Sequence, residues 1–296
     1  MSILAAIALL GTAMPPLAGQ DESPDPIIVT GTPVTKEEAR KRALEFVRRT
    51  GVAELRPIAR WMAPVCPHVI GVDDEVAAIV RQRVHEVADV AGARVAPEGC
   101  STNIAIVFVS DGRGLTRAML RKSPKRLAEL SPAARERVTQ GDDAIRWWYS
   151  TQLQSRDAVS ASTAPLPWVG GHSEGGGPVI QGAGPTLSHR GSSIVGTQAV
   201  RALTTATIVI DVEKAHGTPL DAVASFTAMV AMAEMDGDPP PPRNSILALF
   251  AGEDDRRALS SEDQTLLRAI YSLPPDREAH QHRRQLVTAI AKPAGD

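Results

Sequence analysis

Aromatic side chains are scarce. Phe, Trp and Tyr make up 3% of the 296 residues, so a core has to be assembled mainly from Ala, Val, Ile and Leu. Cysteine occurs only as Cys66 and Cys100, and neither lies in a CxxC pair. A zinc site on them would need His or carboxylate partners at close spacing. Basic charge is not in excess: the net charge is -2 and the pI about 6.4. That argues against a nucleic-acid partner, which normally faces a basic stripe. No apolar run beyond the N-terminus approaches the ~18 residues needed to cross a bilayer. Charge is missing altogether from residues 1–20.

What is present is ordinary globular composition, 43% hydrophobic and 22% charged, in a chain long enough for a large core. Residues 3–10 form an apolar run of signal-peptide length, Pro15 and Pro16 follow, and Ala18-Gly19-Gln20 places small residues at a cleavage point. No Lys or Arg precedes that run. The expectation is an exported chain, periplasmic or secreted, with residues 1–20 as signal peptide and 21–34 as a proline-bearing linker. A single α+β domain is expected over 35–296. In an oxidising envelope an even cysteine count favours a bridge, so Cys66 and Cys100 are expected to be disulfide-bonded; in a reducing cytosol they would be inert thiols.

Thr35-Lys36-Glu37-Glu38 fits a capping box opening a helix that Gly51 stops. Asp73 and Asp74 favour the start of a second helix, down which Val76, Val80, Val84 and Val87 recur on one face until Gly92. Pro64 and Pro67 confine the segment around Cys66 to a sheet edge. The unbroken apolar run 104–109 predicts a central strand covered on both faces. Short helices are expected between 116 and 138. A strand over 145–152 puts Trp147 and Tyr149 on one face and Trp148 on the other, and another strand covers 206–212. An all-round apolar helix is expected over 219–235, and further helices over 262–271, capped by Ser261 and Gln264, and over 276–291. Strands and helices mingle without a regular βαβ rhythm, which favours α+β, with a mixed or antiparallel sheet and packed helices, over a doubly wound sheet. Residues 160–196 stand apart as a long Gly-, Ser- and Pro-rich loop.

No complete catalytic, cofactor or metal motif passes a test of its context, and no catalytic residue is assigned. Gly171-His172-Ser173-Glu174-Gly175 resembles the nucleophile elbow of α/β-hydrolases, which implies Ser173 as nucleophile with Asp211 and His216 or His280 downstream. The elbow needs a strand before it and a helix after it. Here Pro165 and Pro167 break the first, and Gly175-Gly176-Gly177-Pro178 disfavours the second. A metal-dependent hydrolase is the other catalytic alternative. Asp211 and Glu213, two apart at a strand end, would share a face and be joined by His216. The competing reading is a strand emerging into solvent. His280 and His282, two apart on a helix, read as surface residues, and His68 and His85 as isolated structural ones; His172 and His189 could meet across the glycine-rich loop, but nothing in the sequence fixes that geometry. Asp236-Gly237-Asp238 lacks calcium-loop spacing.

Two resemblances remain. Pro26-Ile27-Ile28-Val29-Thr30-Gly31-Thr32 is similar to the TonB box of TonB-dependent outer-membrane receptors, which implies an envelope-protein partner met by strand addition. The rest of the chain lacks the alternating strands of such a barrel. Residues 244–275, NSILALFAGEDDRRALSSEDQTLLRAIYSLPP, resemble the C-terminal portion of secreted proteobacterial proteins related in outline to zincin metallopeptidases. In that scaffold a strand like 206–212 precedes an active-site helix like 219–235, which carries HExxH. This helix has no histidine. The resemblance therefore implies a zincin-like scaffold without its metal site, and a non-catalytic binding or interaction protein.

Overall fold

Local signals of the kind just described decide where the helices begin and end. The computed structural model describes residues 34–54, 56–123, 127, 130–155, 199–237, 239–252 and 256–292. Contacts divide the chain into Met1–Val34 and Thr35–Asp296, and only the second unit is described below. The signal peptide, the linker with its 26–32 segment and the 160–196 loop lie outside the described residues.

Helix α1 (Lys36–Thr50) starts where the Thr35 hydroxyl accepts the Glu38 N–H at 3.2 Å, and ends at Gly51 with φ 69°. Helix α2 (Asp74–Ala91) is capped by Asp73, which accepts the Val76 N–H at 2.9 Å, and closed by Gly92. Val80, Val84 and Val87 are buried on it as the spacing predicts.

Strand β1 (Ala59–Trp61) lies parallel to β5 (Ala199–Asp211) over its first half, and β3 (Ile104–Val109) lies parallel to β5 over its second half. β2 (Pro67–Ile70) runs parallel to β3, with Pro67 at its first position, where a missing N–H does least harm. β4 (Ile145–Ser155) occupies the other side of β5, antiparallel along its length, with one register shift between Ser150 and Thr151. The sheet is therefore mixed, and the α+β class holds. β2 and β3 are joined by the α2 crossover, as a parallel pair requires.

The bond between Cys66 and Cys100, with Cα atoms 6.1 Å apart, closes the β2–α2 loop of sequence separation 34. In the chain-entropy account it stabilises the fold by about 3–4 kcal/mol. Asn103 reinforces the junction, accepting the Cys66 N–H at 2.7 Å and donating to Pro64 O at 2.9 Å.

One face of the sheet carries the main core with α2, α5 (Leu220–Met232) and α6 (Ser261–Ser272). Every residue of α5 from Ala222 to Met232 is buried, as expected of a helix apolar all round. Its last carbonyls have no intrahelical partners, and scarce aromatics supply them. Tyr149 OH donates to Val230 O, Trp61 Nε1 to Ala231 O and Tyr271 OH to Met232 O, each at 2.7 Å. Burial pushes both tyrosine hydroxyls far above their ordinary pKa, so they remain donors. The opposite face is thinner. There α3 (Gly112–Lys122) and α4 (Pro132–Gln140) cover Leu127, Val138, Trp148 and Val209.

Several boundaries differ from expectation, among them the start of β5, at Ala199 rather than 206, the end of β4, at Ser155 rather than 152, and the end of α5, at Met232 rather than 235. α3 begins at Gly112, because Asp111 caps it by accepting the Gly114 N–H at 2.7 Å. α6 is capped by Ser260 in a capping box with Asp263, not by Ser261 and Gln264. α7 (Ala279–Ile290) starts three residues later than expected.

Candidate functional site

Ligands of open parallel sheets favour the carboxyl ends of the strands, which here are the ends of β3 and β5. Asp211, the last residue of β5, is 3% exposed. One carboxylate oxygen accepts the Gly112 N–H at 3.0 Å and the other the Lys214 N–H at 3.3 Å. Arg146, fully buried on β4, donates to Gly141 O at 2.8 Å and approaches Asp211 at 3.9 Å. A Cβ at position 112 would stand 3.0 Å from the Arg146 guanidinium and 3.3 Å from Asp211, so this corner accommodates a glycine closely. Burial lowers the Arg146 pKa, with the nearby Asp143 and Asp211 opposing it. Outside, Asp142 binds Lys214 and Arg113, and the hydrogen bond from Lys214 holds its carboxyl below the ordinary value. Asp211 thus ties the end of β5 to the start of α3.

The proposed ligand trio does not assemble. β5 stops at Asp211 and a turn follows, so the two-residue period that would align Glu213 with Asp211 has already ended. Glu213 and His216 are exposed while Asp211 points inward. Among the described residues, no three His, Cys, Asp or Glu side chains gather closely enough to hold a metal ion. Ser173, His172 and His189 lie outside the described residues.

His282 also departs from expectation. It is 1% exposed, accepts the Ile58 N–H on Nδ1 at 3.2 Å and lies 2.8 Å from Pro274 O through Nε2. The donor facing Nδ1 and the carbonyl facing Nε2 select the neutral Nε2–H tautomer. Burial, the largest influence, lowers its pKa below the ordinary value. His280 remains exposed, beside Glu278 at 3.2 Å.

A groove that no motif announced lies between the start of β4 and α5. Trp147 on β4 and Phe226 on α5 meet edge to face with centroids 5.6 Å apart, and Phe226 meets Phe250 at 5.8 Å. With Met235, Leu247 and Pro239 they enclose about 170 Å³. The Trp147 indole is fixed by donation to Met235 O at 3.1 Å, and the Arg137 guanidinium covers its ring at 4.9 Å. Arg49, Asp143 and Asp236 complete the surround. Among the described residues, the lining holds no hydroxyl, thiol or imidazole. Its aromatic edges suit an apolar guest. The contributing residues are far apart in sequence, and the alternation along β4 that sets Trp147 on one face with Tyr149 is the one local signal.

Compared with protein-family models, with curated proteins and with solved structures, the chain matches none.

Proposed function

We propose that this chain is an exported protein of the bacterial cell envelope that acts by binding, with the β4–α5 groove receiving an apolar side chain of a protein partner. The observation that carries the proposal is the groove's aromatic lining and size. A volume of about 170 Å³ is close to the roughly 150 Å³ that admits benzene into an engineered cavity. One aromatic ring or branched aliphatic side chain fills it. Phe250, 37% exposed at its edge, extends the apolar contact outward. Export is supported by the charge-free leader pattern of residues 1–20 and by the Cys66–Cys100 bond, of a kind that persists outside reducing compartments. Residues 26–32 are a second contact in this proposal, added as a strand to an envelope partner. A zincin-like ancestry belongs to the same proposal, supported by the succession of β5 and a buried α5, which departs from that scaffold in having no histidine.

The test is a photo-crosslinking residue at Phe250, expressed in the native host, followed by intact-mass analysis of the envelope fraction. The expected product begins near Asp21, is two hydrogens lighter than the reduced chain, and carries one protein. Ala251→Trp, which fills the groove, abolishes that crosslink. A crosslink indifferent to Ala251→Trp overturns the groove, and a cytosolic chain with Met1 and two free thiols overturns export.

A further inference from the structure

α1 carries six Lys or Arg against three Glu in a chain whose net charge is -2. The charges are sorted around the helix. On one flank Glu38 pairs with Arg42, and Glu45 with Arg49 at 2.9 Å, so that flank is neutral. On another flank Lys36, Arg40, Leu44 and Arg48 follow at intervals of four, bordered by Lys41 and Glu37. None of the four cations makes a side-chain hydrogen bond or ion pair among the described residues, and all four are exposed. Leu44 stands 43% exposed among them, although Ala43, Phe46 and Val47 on the inward face are buried. α7 packs against α1 and carries no carboxylate anywhere in Ala279–Ile290.

We infer that the Lys36–Arg40–Leu44–Arg48 flank of α1 is a docking surface for an anionic phospholipid membrane. The cations face the headgroup phosphates, and Leu44 lies at the level of the glycerol backbone. Unpaired cations around one exposed apolar residue form the pattern of an interfacial helix. A nucleic acid would instead be met by stacking aromatics, and α1 offers none outside its buried face.

The test is co-flotation of the full chain with phosphatidylcholine vesicles, with and without phosphatidylglycerol, at low and high salt. Any pull from the apolar N-terminus is common to all variants, so differences between them report α1. Anionic lipid is expected to add binding beyond that to neutral vesicles, and high salt to remove that increment. Lys36→Gln/Arg40→Gln/Arg48→Gln should weaken it on the order of a hundredfold, and Glu37→Gln should strengthen it about fivefold. Glu38→Gln/Arg42→Gln, which removes a neutral pair, should leave it unchanged. These exposed substitutions are checked by unchanged thermal unfolding. Equal binding to neutral vesicles, an unaffected triple variant, or retention on DNA without retention on vesicles would each overturn the inference.

Discussion

Near its first residues β5 holds Arg201, and at its last residue Asp211, and the two ends neutralise buried charge in opposite ways. The Arg201 guanidinium reaches Glu234 with both terminal nitrogens, one at 3.0 Å, and also donates to Pro57 O at 2.8 Å and Thr151 Oγ1 at 3.3 Å. Glu234 is 22% exposed and shared with Arg56 at 3.2 Å. At the other end Arg146 and Asp211 are almost wholly enclosed and meet at 3.9 Å, and Arg146 Nε and Nη1 have no hydrogen-bond partner among the described residues. Fork-to-fork geometry at the rim makes a pair strong and easily rehydrated when broken. In the enclosed pair at longer range Arg146 depends on the carboxylates around it, Asp143 and Asp211, because water cannot replace them. The first end is thus expected to yield gradually, and the second abruptly.

The largest expected effect follows directly. Asp211→Ala strands the Arg146 cation and leaves the Gly112 and Lys214 N–H groups without an acceptor, so it should cost about 3–5 kcal/mol in urea unfolding. Asp211→Asn keeps an acceptor and removes the charge, and it separates the two contributions. A cost below about 1 kcal/mol for the alanine variant would mean that water reaches Arg146.

Glu234→Gln at the opposite end should cost less, about 1–2 kcal/mol, since Arg201 retains Pro57 O and Thr151 Oγ1 and position 234 itself reaches solvent. A loss equal to that of Asp211→Ala would erase the distinction between the ends.

Acidity sharpens the comparison. His282 grips Ile58, next to the Pro57 carbonyl that Arg201 holds, so it belongs to the β5 start. Its folded-state pKa lies below the ordinary 6.5 because burial disfavours the imidazolium. Above about pH 6.5 both the folded and unfolded forms are neutral and the full stability is present. As pH falls below that value the unfolded chain takes up a proton that the folded one resists, and stability declines through the folded pKa. Protonation would also set a donor on Nδ1 against the Ile58 N–H. Urea midpoints should fall over this range, before carboxylates titrate near about pH 4, and His282→Gln should flatten the decline. An unchanged slope in that variant would assign the decline to other groups.

Elements whose signals are local were legible in the sequence, and contacts that join distant segments were not. Thr35, Gly51, Asp73 and Gly92 mark helix ends by their own backbone chemistry, and β3 declares itself by six apolar residues in a row. Ser260 was missed because both it and Ser261 can cap, and the choice depends on how Asp263 turns toward Ser245, with which it bonds at 2.6 Å. The two-residue spacing from His280 makes His282 read as a surface residue, but Leu286, four residues on, is buried on the same face of α7 and carries the missing signal. Asp211 and Glu213 were aligned by a strand period that ceases at Asp211. Of the candidate site only the face that Trp147 shares with Tyr149 is legible in the sequence. Phe226 and Phe250 reach it through the path of α5 and the turn after it, which tertiary packing decides.

The smallest expected effect is the most discriminating. Replacing Arg146 by Met removes a fully buried cation with two unsatisfied nitrogens and supplies a flexible apolar chain of similar length. The loss of the bond to Gly141 O opposes this gain, so stability should change by less than about 1 kcal/mol. Asp211 keeps its two backbone donors in this variant, so its charge is not abandoned as that of Arg146 is in Asp211→Ala. The double variant Asp211→Ala/Arg146→Met should then lose less than Asp211→Ala alone, and the double-variant loss minus the two single losses is the coupling across the 3.9 Å gap. Additive losses would show that the two side chains act separately, Asp211 as an anchor for α3 and Arg146 as a spacer beneath β4.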